Sequence, residues 1–466
     1  MKRFWLVLLS LGLVMAFGAS AFAVDVKFSG SFYMAGMYQD RTTFLKDSGF
    51  DGPSTAFYYQ RLRVQTDFIV SPGLKFITRF DAMERIWGGQ RSDPTVGSYG
   101  EMGRPYPTDR QSAGTRAENE NIAFDWAYIE YTSPIGMFMV GYQDDGAWGT
   151  VFGDSSVPQG MITWVAQMNG WTTFLQIIKI NDNSKTAIHT AVVADNDTDK
   201  YTGGVVYEWK DGQAGLLAVY YRDTSTKPPV GDEQTGNVFS LQPYAIVKIG
   251  PVKIQAEVDY AWGNIKSDKL GVLEDIRVDN LAAFVDATAD LKQFYFGGTA
   301  AYVAGNDWSK PDVIKGGFLT GGMDWNPTLL LFNNERTYWA GAIPGNLLSS
   351  TSLNFISEQF GLNDTGMYNA WFFQGRVGVR PIDKLDIMAS VSYAIADSKT
   401  LPQAMDTVSD VYGTEIDLIA TYKITNNLSY MAGVGYLFTG DYFKGIDPNA
   451  SVSNNYILIN KLTLTF

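Results

Sequence analysis

Charged side chains recur at every second position in several stretches, and that spacing limits the chemistry they can do. Arg61, Arg63, Gln65 and Asp67 alternate with Leu62, Val64, Thr66 and Phe68, and Lys75, Arg79 and Asp81 alternate with Leu74, Phe76, Thr78 and Phe80. Arg376 and Arg380 oppose Phe373, Val377 and Val379. Rows of guanidinium groups orient anions or pair with carboxylates, for which Asp67, Asp81, Glu257 and Asp417 are the candidates. Covalent chemistry is poorly served. His189 is the one histidine, and triads built on Ser or Cys need a His base, so an enzyme is not expected. Asp195, Asp197 and Asp199 alternate, but the Gly and the bidentate Glu of a calcium loop are missing, so a solvated acidic loop is the expectation. With no Cys there is no disulfide framework, no cysteine-based zinc site and no haem attachment, and no cofactor is expected.

Period-2 alternation means strands, and one face of these strands is apolar. Phe28, Gly30, Phe32, Met34, Gly36 and Tyr38 share a face near the start, and Phe466, Leu464, Leu462, Asn460, Leu458 and Tyr456 share one at the end, apolar but for Asn460. Charges on a lipid-facing wall would cost several kcal/mol at mid-bilayer, so parity turns the arginines inward. Aromatic residues are 14% of the chain and charged residues only 18%, without a later apolar run that could form a spanning helix. Strands of about 9–14 residues alternate with tight turns such as Ser71-Pro72-Gly73, Asn169-Gly170, Asp211-Gly212 and Gly250-Pro251. Residues 87–118 and 182–199 fall in long loops, and 306–367 forms a large loop with Trp325, Trp339 and short helical or turn pieces, unless 318–331 holds another hairpin. The expectation is an all-β transmembrane antiparallel β-barrel of 16–18 strands, best counted as 18, occupying residues 24–466 as one domain.

Compartment follows from the other end of the chain. Lys2 and Arg3, the apolar stretch 4–17 and Ala21-Phe22-Ala23 have the three-part order of a secretory signal peptide, cleaved after residue 23. The precursor carries a formal charge of -13, and losing those two cations makes it -15, which argues against a nucleic-acid partner.

Two resemblances sharpen these expectations. The aromatic-ended terminal strand resembles that of bacterial outer-membrane barrels, which commonly ends in Phe and is read by the assembly machinery. Phe466 would then serve closure and assembly. The hairpin Trp126-Ala127-Tyr128-Ile129-Glu130-Tyr131-Thr132-Ser133-Pro134-Ile135-Gly136-Met137-Phe138-Met139-Val140-Gly141-Tyr142-Gln143 resembles a recurring hairpin of trimeric Gram-negative porins. That resemblance implies a homotrimer in lipid and lipopolysaccharide. It also implies a constriction loop, Gln143 to Gln159, whose Asp144, Asp145 and Asp154 face a wall including Arg61, Arg63 and Arg79. Tyr142 stands where those porins often have Arg. A count of 18 is similar to substrate-selective sugar or anion channels rather than general porins. Passive diffusion of small hydrophilic solutes or ions is the expected activity, with a non-conducting adhesion or scaffold barrel as its rival.

Overall fold

The structure is a computed structural model that describes residues 24–46, 52–88, 122–145, 147–155, 157–182, 197–224, 234–267, 275–341, 343, 366–401 and 405–466. The signal peptide, His189, Asp195 and most of loop 87–118 lie outside the described residues.

Eighteen strands form one closed antiparallel barrel. In chain order they are β1 (Asp25–Gln39), β2 (Thr55–Ser71), β3 (Leu74–Ile86), β4 (Ala123–Ser133), β5 (Gly136–Asp144), β6 (Pro158–Met168), β7 (Trp171–Asp182), β8 (Asp197–Trp209) and β9 (Gly212–Asp223). There follow β10 (Gln234–Ile249), β11 (Val252–Ser267), β12 (Ile276–Asp290), β13 (Phe294–Val303), β14 (Ala370–Ile382), β15 (Leu385–Ala396), β16 (Val411–Lys423), β17 (Leu428–Thr439) and β18 (Asn455–Thr465). Each strand pairs with the next, and β18 pairs with β1 from Ser31–Thr465 to Gln39–Ile457. The expected count of 18 therefore holds. No spanning hairpin occupies 318–331, which is irregular and carries neither strand nor helix.

Alternation sorts the side chains as expected. Phe28, Ile129, Val140, Leu175, Ile177 and Val377 point outward and are exposed, whereas Tyr33, Ala35, Tyr59 and Ile178 point inward and are buried. The outer wall carries stacked aromatics on successive strands. Tyr201, Tyr220, Phe239 and Trp262 form one row near the loop ends, with ring centroids 6.0, 4.7 and 6.1 Å apart. Trp171 and Tyr207, 4.6 Å apart, sit near the turn ends. An apolar band between two aromatic belts is the exterior of a membrane-spanning barrel. The acidic segment beyond residue 196 differs from expectation: Asp197 and Asp199 belong to β8, where Lys179 reaches them at 3.1 and 2.7 Å.

Backbone pairing continues past the last strand. Phe466 N–H donates to Gly30 O at 3.0 Å, and Gly30 N–H returns a bond to Phe466 O at 2.8 Å. Without this rung the seam would leave strand-edge groups unpaired in lipid, where each costs several kcal/mol. Deleting Phe466 should slow assembly of the barrel, read as a delayed appearance of the heat-modifiable folded band on gels. Assembly at the wild-type rate would exclude a closing role for this residue.

Candidate functional site: a lumen narrowed by two loops

The charged rows on β2, β3 and β4 meet inside the barrel. Arg63 makes a two-pronged contact with Asp81, 2.7 Å on each arm, and lies 3.6 Å from Asp125. Arg79 donates to Asp125 at 2.8 and 2.5 Å while its guanidinium stacks 3.4 Å from the Trp126 ring centroid. A register shift makes both contacts possible. Arg79 pairs with Trp126 and Phe80 with Phe124, so Asp125 is an extra residue in β4, and the bulge brings Asp125 and Trp126 to the same arginine. Arg61 lies 3.6 Å from Glu84 and 4.0 Å from Asp81, over the Tyr33 ring. Lys75 pairs with Glu130 at 2.6 Å. The three arginines Arg61, Arg63 and Arg79 are thus matched by Glu84, Asp81 and Asp125.

Arg376 and Arg380 lie apart from this group. Arg376 pairs with Asp286 at 2.7 Å on the lumen face of β12, and Arg380 bridges Asp290 and Asp386, each at 3.0 Å, at the turn end. Of the carboxylates expected as partners, Asp81 pairs with the arginines. Asp67 accepts from Gln65 at 2.9 Å, while Glu257 and Asp417 belong to contacts with loops.

The first of those loops joins β5 to β6 and folds inward. At its base, Asp144 accepts the Val157 N–H at 3.0 Å, and Asp145 takes Lys200 at 2.9 and 3.0 Å. Burial raises the Asp145 carboxyl above its usual range, even with Lys200 beside it. Farther in, Trp148 donates to Gln242 O at 3.0 Å, and Thr150 gives both its N–H and its hydroxyl to Glu257 at 2.6 Å. Gly149 and Gly153 make this possible, because a Cβ at either would collide with the Glu257 carboxylate, and Gly149 also has a φ of +78°. Phe152 is fully buried and stacks on Phe284 of β12 at 5.1 Å. Asp154, at the inner edge, is exposed.

The second loop, 304–341, follows β13 and also turns inward. Asn280 accepts from Phe318 and Leu319 N–H at 3.1 and 2.7 Å, and Gln374 donates to Pro327 O at 2.7 Å. Both oxygens of the fully buried Glu415, on β16, accept main-chain N–H groups, from Leu330 at 2.7 Å and Leu331 at 2.8 Å. A short helix, α1 (Asn334–Ala340), follows, capped by the Asn333 side chain on Arg336 N–H at 2.7 Å. Its Trp339 stacks on Tyr59 of β2 at 4.4 Å, its Glu335 meets Lys461 of β18 at 2.5 Å, and its buried Arg336 reaches Gln39 of β1 at 3.3 Å. Burial lowers the pKa of Arg336 to about 10.

The two loops are joined. Trp325 packs edge-on against Phe152, Phe284 and Phe372 at 5.2–5.7 Å, and Asp324 N–H donates to Asp154 O at 3.2 Å. Burying aromatic rings of this size contributes about 2 kcal/mol each. Together the loops cover the inner wall from β10 through β18 to β2. On these loops Asp154, Asp324 and Asn326 are exposed. Burial and the neighbouring Asp324 raise the Asp154 carboxyl.

Sequence reasoning located the first loop and the arginines but missed Asp125, Trp126, Asp286, Glu415 and the inward course of 304–341. The signal for that course was present: Trp325, Leu329-Leu330-Leu331 and Trp339 are too apolar for a solvated loop.

No protein-family model and no curated protein matches this sequence. Among solved structures, the chain resembles outer-membrane porins in fold. OccK2 (OpdF) of Pseudomonas aeruginosa is 12% identical with a TM-score of 0.49, over 94% of this chain and 98% of that one. OpdQ of the same organism is 12% identical with a TM-score of 0.46, over 94% and 98%. An anion-selective porin of Comamonas acidovorans is 11% identical with a TM-score of 0.42, over 95% and 99%.

Glu415 gives a direct check of loop docking. Replacing it with Ala leaves two buried N–H groups without acceptors, a cost of about 2 kcal/mol, or a roughly thirtyfold rise in local opening. Amide exchange at Leu330 and Leu331 should accelerate by that factor, and unchanged exchange would show that the loop is held by its aromatics alone.

Proposed function

We propose that this protein is an outer-membrane channel for passive diffusion of small hydrophilic solutes, with a preference for cations. The observation that supports it best is the charge balance of the narrowed lumen. On the β2–β4 wall three arginines are matched by three carboxylates, while the loops that enter the lumen add the exposed Asp154 and Asp324. The wall offers hydrogen bonds with little net field, and the loop edge tips the balance negative. Two lumen loops leave less free cross-section than one, which favours a selective channel over a general one. Asp144 and Asp145 serve in this reading as anchors of the loop base, and Arg61, Arg63 and Arg79 as the polar wall. Arg376 braces the lumen wall through Asp286, and Arg380 braces the turn end. The chain would reach its membrane after removal of residues 1–23, be inserted by the assembly machinery, and stand as a homotrimer among lipid and lipopolysaccharide. No covalent chemistry is involved.

Planar-bilayer recording tests the reading. Wild-type protein should conduct with a cation-favouring reversal potential, and Asp154→Asn with Asp324→Asn should move that potential toward zero without lowering conductance. Folded protein that passes no current would refute the channel. The raised Asp154 carboxyl adds a sign: it takes up its proton at a higher pH than an ordinary aspartate, so cation preference fades early on acidification. Asp154→Asn should remove that early phase, and its persistence in the variant would place the titrating group elsewhere.

A further inference from the structure

Both lumen loops dock on a carboxyl group that has a second one beside it. Glu415 and Asp417 stand two residues apart on β16, so they share the lumen face, and they are 0% and 1% exposed. The spacing recurs under the first loop, where Glu257 takes Thr150 and the buried Asp259 follows on β11 with one oxygen unpartnered. Two carboxylates buried side by side repel, so such a pair needs a cation or a proton.

The surroundings of the β16 pair bring no cation into contact. On β15 the register sets Ser392 beside Glu415 and Ser390 beside Asp417, and on β17 it sets Leu437 and Gly435 there. Ser390 donates to Asp417 at 3.4 Å, while Ser392 receives Gln374 of β14 at 3.0 Å. Gly435 leaves room for the second carboxyl, because a Cβ there would fall 2.6 Å from Asp417 Oδ1. From the loop come the N–H groups of Leu330 and Leu331, which take both Glu415 oxygens. Arg336 of α1 is a cation whose field reaches Glu415. Its guanidinium, however, is bonded to Gln39, Gly341 and Thr337. One cation at that remove balances one carboxylate and not two.

The two carboxyls are hydrogen-bonded to each other. A bond between carboxyl oxygens requires a hydrogen on one of them. Both Glu415 oxygens already accept main-chain N–H groups, so the hydrogen belongs on Asp417, whose O–H then donates to Glu415.

We propose that the second loop docks only on a Glu415–Asp417 pair that holds this one proton, so that rising pH loosens the loop and widens the lumen. With the loop away, the pair faces water and releases the proton more readily. Docking therefore takes up a proton and weakens as pH rises, by at most about tenfold per pH unit.

Amide exchange at Leu330 and Leu331 of the folded, detergent-solubilised protein tests this. Wild type and Asp417→Asn are compared at each pH, so that intrinsic exchange cancels. The Asn amide has nearly the shape of the carboxyl, keeps a donor for Glu415 and does not ionise. The ratio of wild-type to variant exchange should grow at least about tenfold between about pH 5 and about pH 8. Asp417→Ser, a smaller neutral group, should remove the same pH phase, so either variant suffices if the other folds poorly. Exchange reads the loop itself, so the outcome does not depend on whether the barrel conducts. A ratio that stays flat with pH would overturn the proposal. So would faster exchange on adding EDTA at about pH 7, since a divalent ion and not a proton would then join the pair.

Discussion

A barrel in hydrocarbon has no water to satisfy an unpaired backbone group, so its ladder must close on itself. The β1–β18 pairing and the Gly30–Phe466 rung meet that requirement here. Closure fixes parity, because a one-residue slip in any strand would exchange its two faces. Parity then forces Arg61, Arg63, Arg79 and Arg376 inward, where each finds a carboxylate. The same constraint creates the enclosed space that the two loops enter.

Inside, burial rather than solvation governs the loops. Phe152 and Trp325 build an apolar cluster against Phe284 and Phe372, inside a barrel whose opposite wall is charged. Glu257 and Glu415 lie on strands but turn oxygens to the loops, Glu257 to the N–H and hydroxyl of Thr150 and Glu415 to the N–H groups of Leu330 and Leu331. The lumen therefore has a packed side, where the two loops dock, and a polar side lined by the paired arginines.

Much of the barrel was legible in the sequence, since alternation, turn residues and strand parity are local. The terminal strand and the Asn169-Gly170 hairpin follow from a few neighbouring residues. What lay beyond reach was non-local. Nothing near Asp125 signals the bulge that brings it and Trp126 to Arg79, because a bulge is a property of two paired strands. The partners of Glu257 and Glu415 are 107 and 85 residues away. Counting apolar residues in 318–341 would have shown that the loop needs a core, though not which wall supplies it.

Glu415 grips the loop main chain at positions 330 and 331 with both of its oxygens. Those bonds need an N–H at each position, which proline lacks, while the buried Leu330 and Leu331 side chains answer to the core around them. The loop's course is thereby written partly into the wall. An exposed side chain such as Asp324 can be replaced without removing the anchors at Glu415, Trp325 and Trp339, so pore character and barrel integrity can change independently.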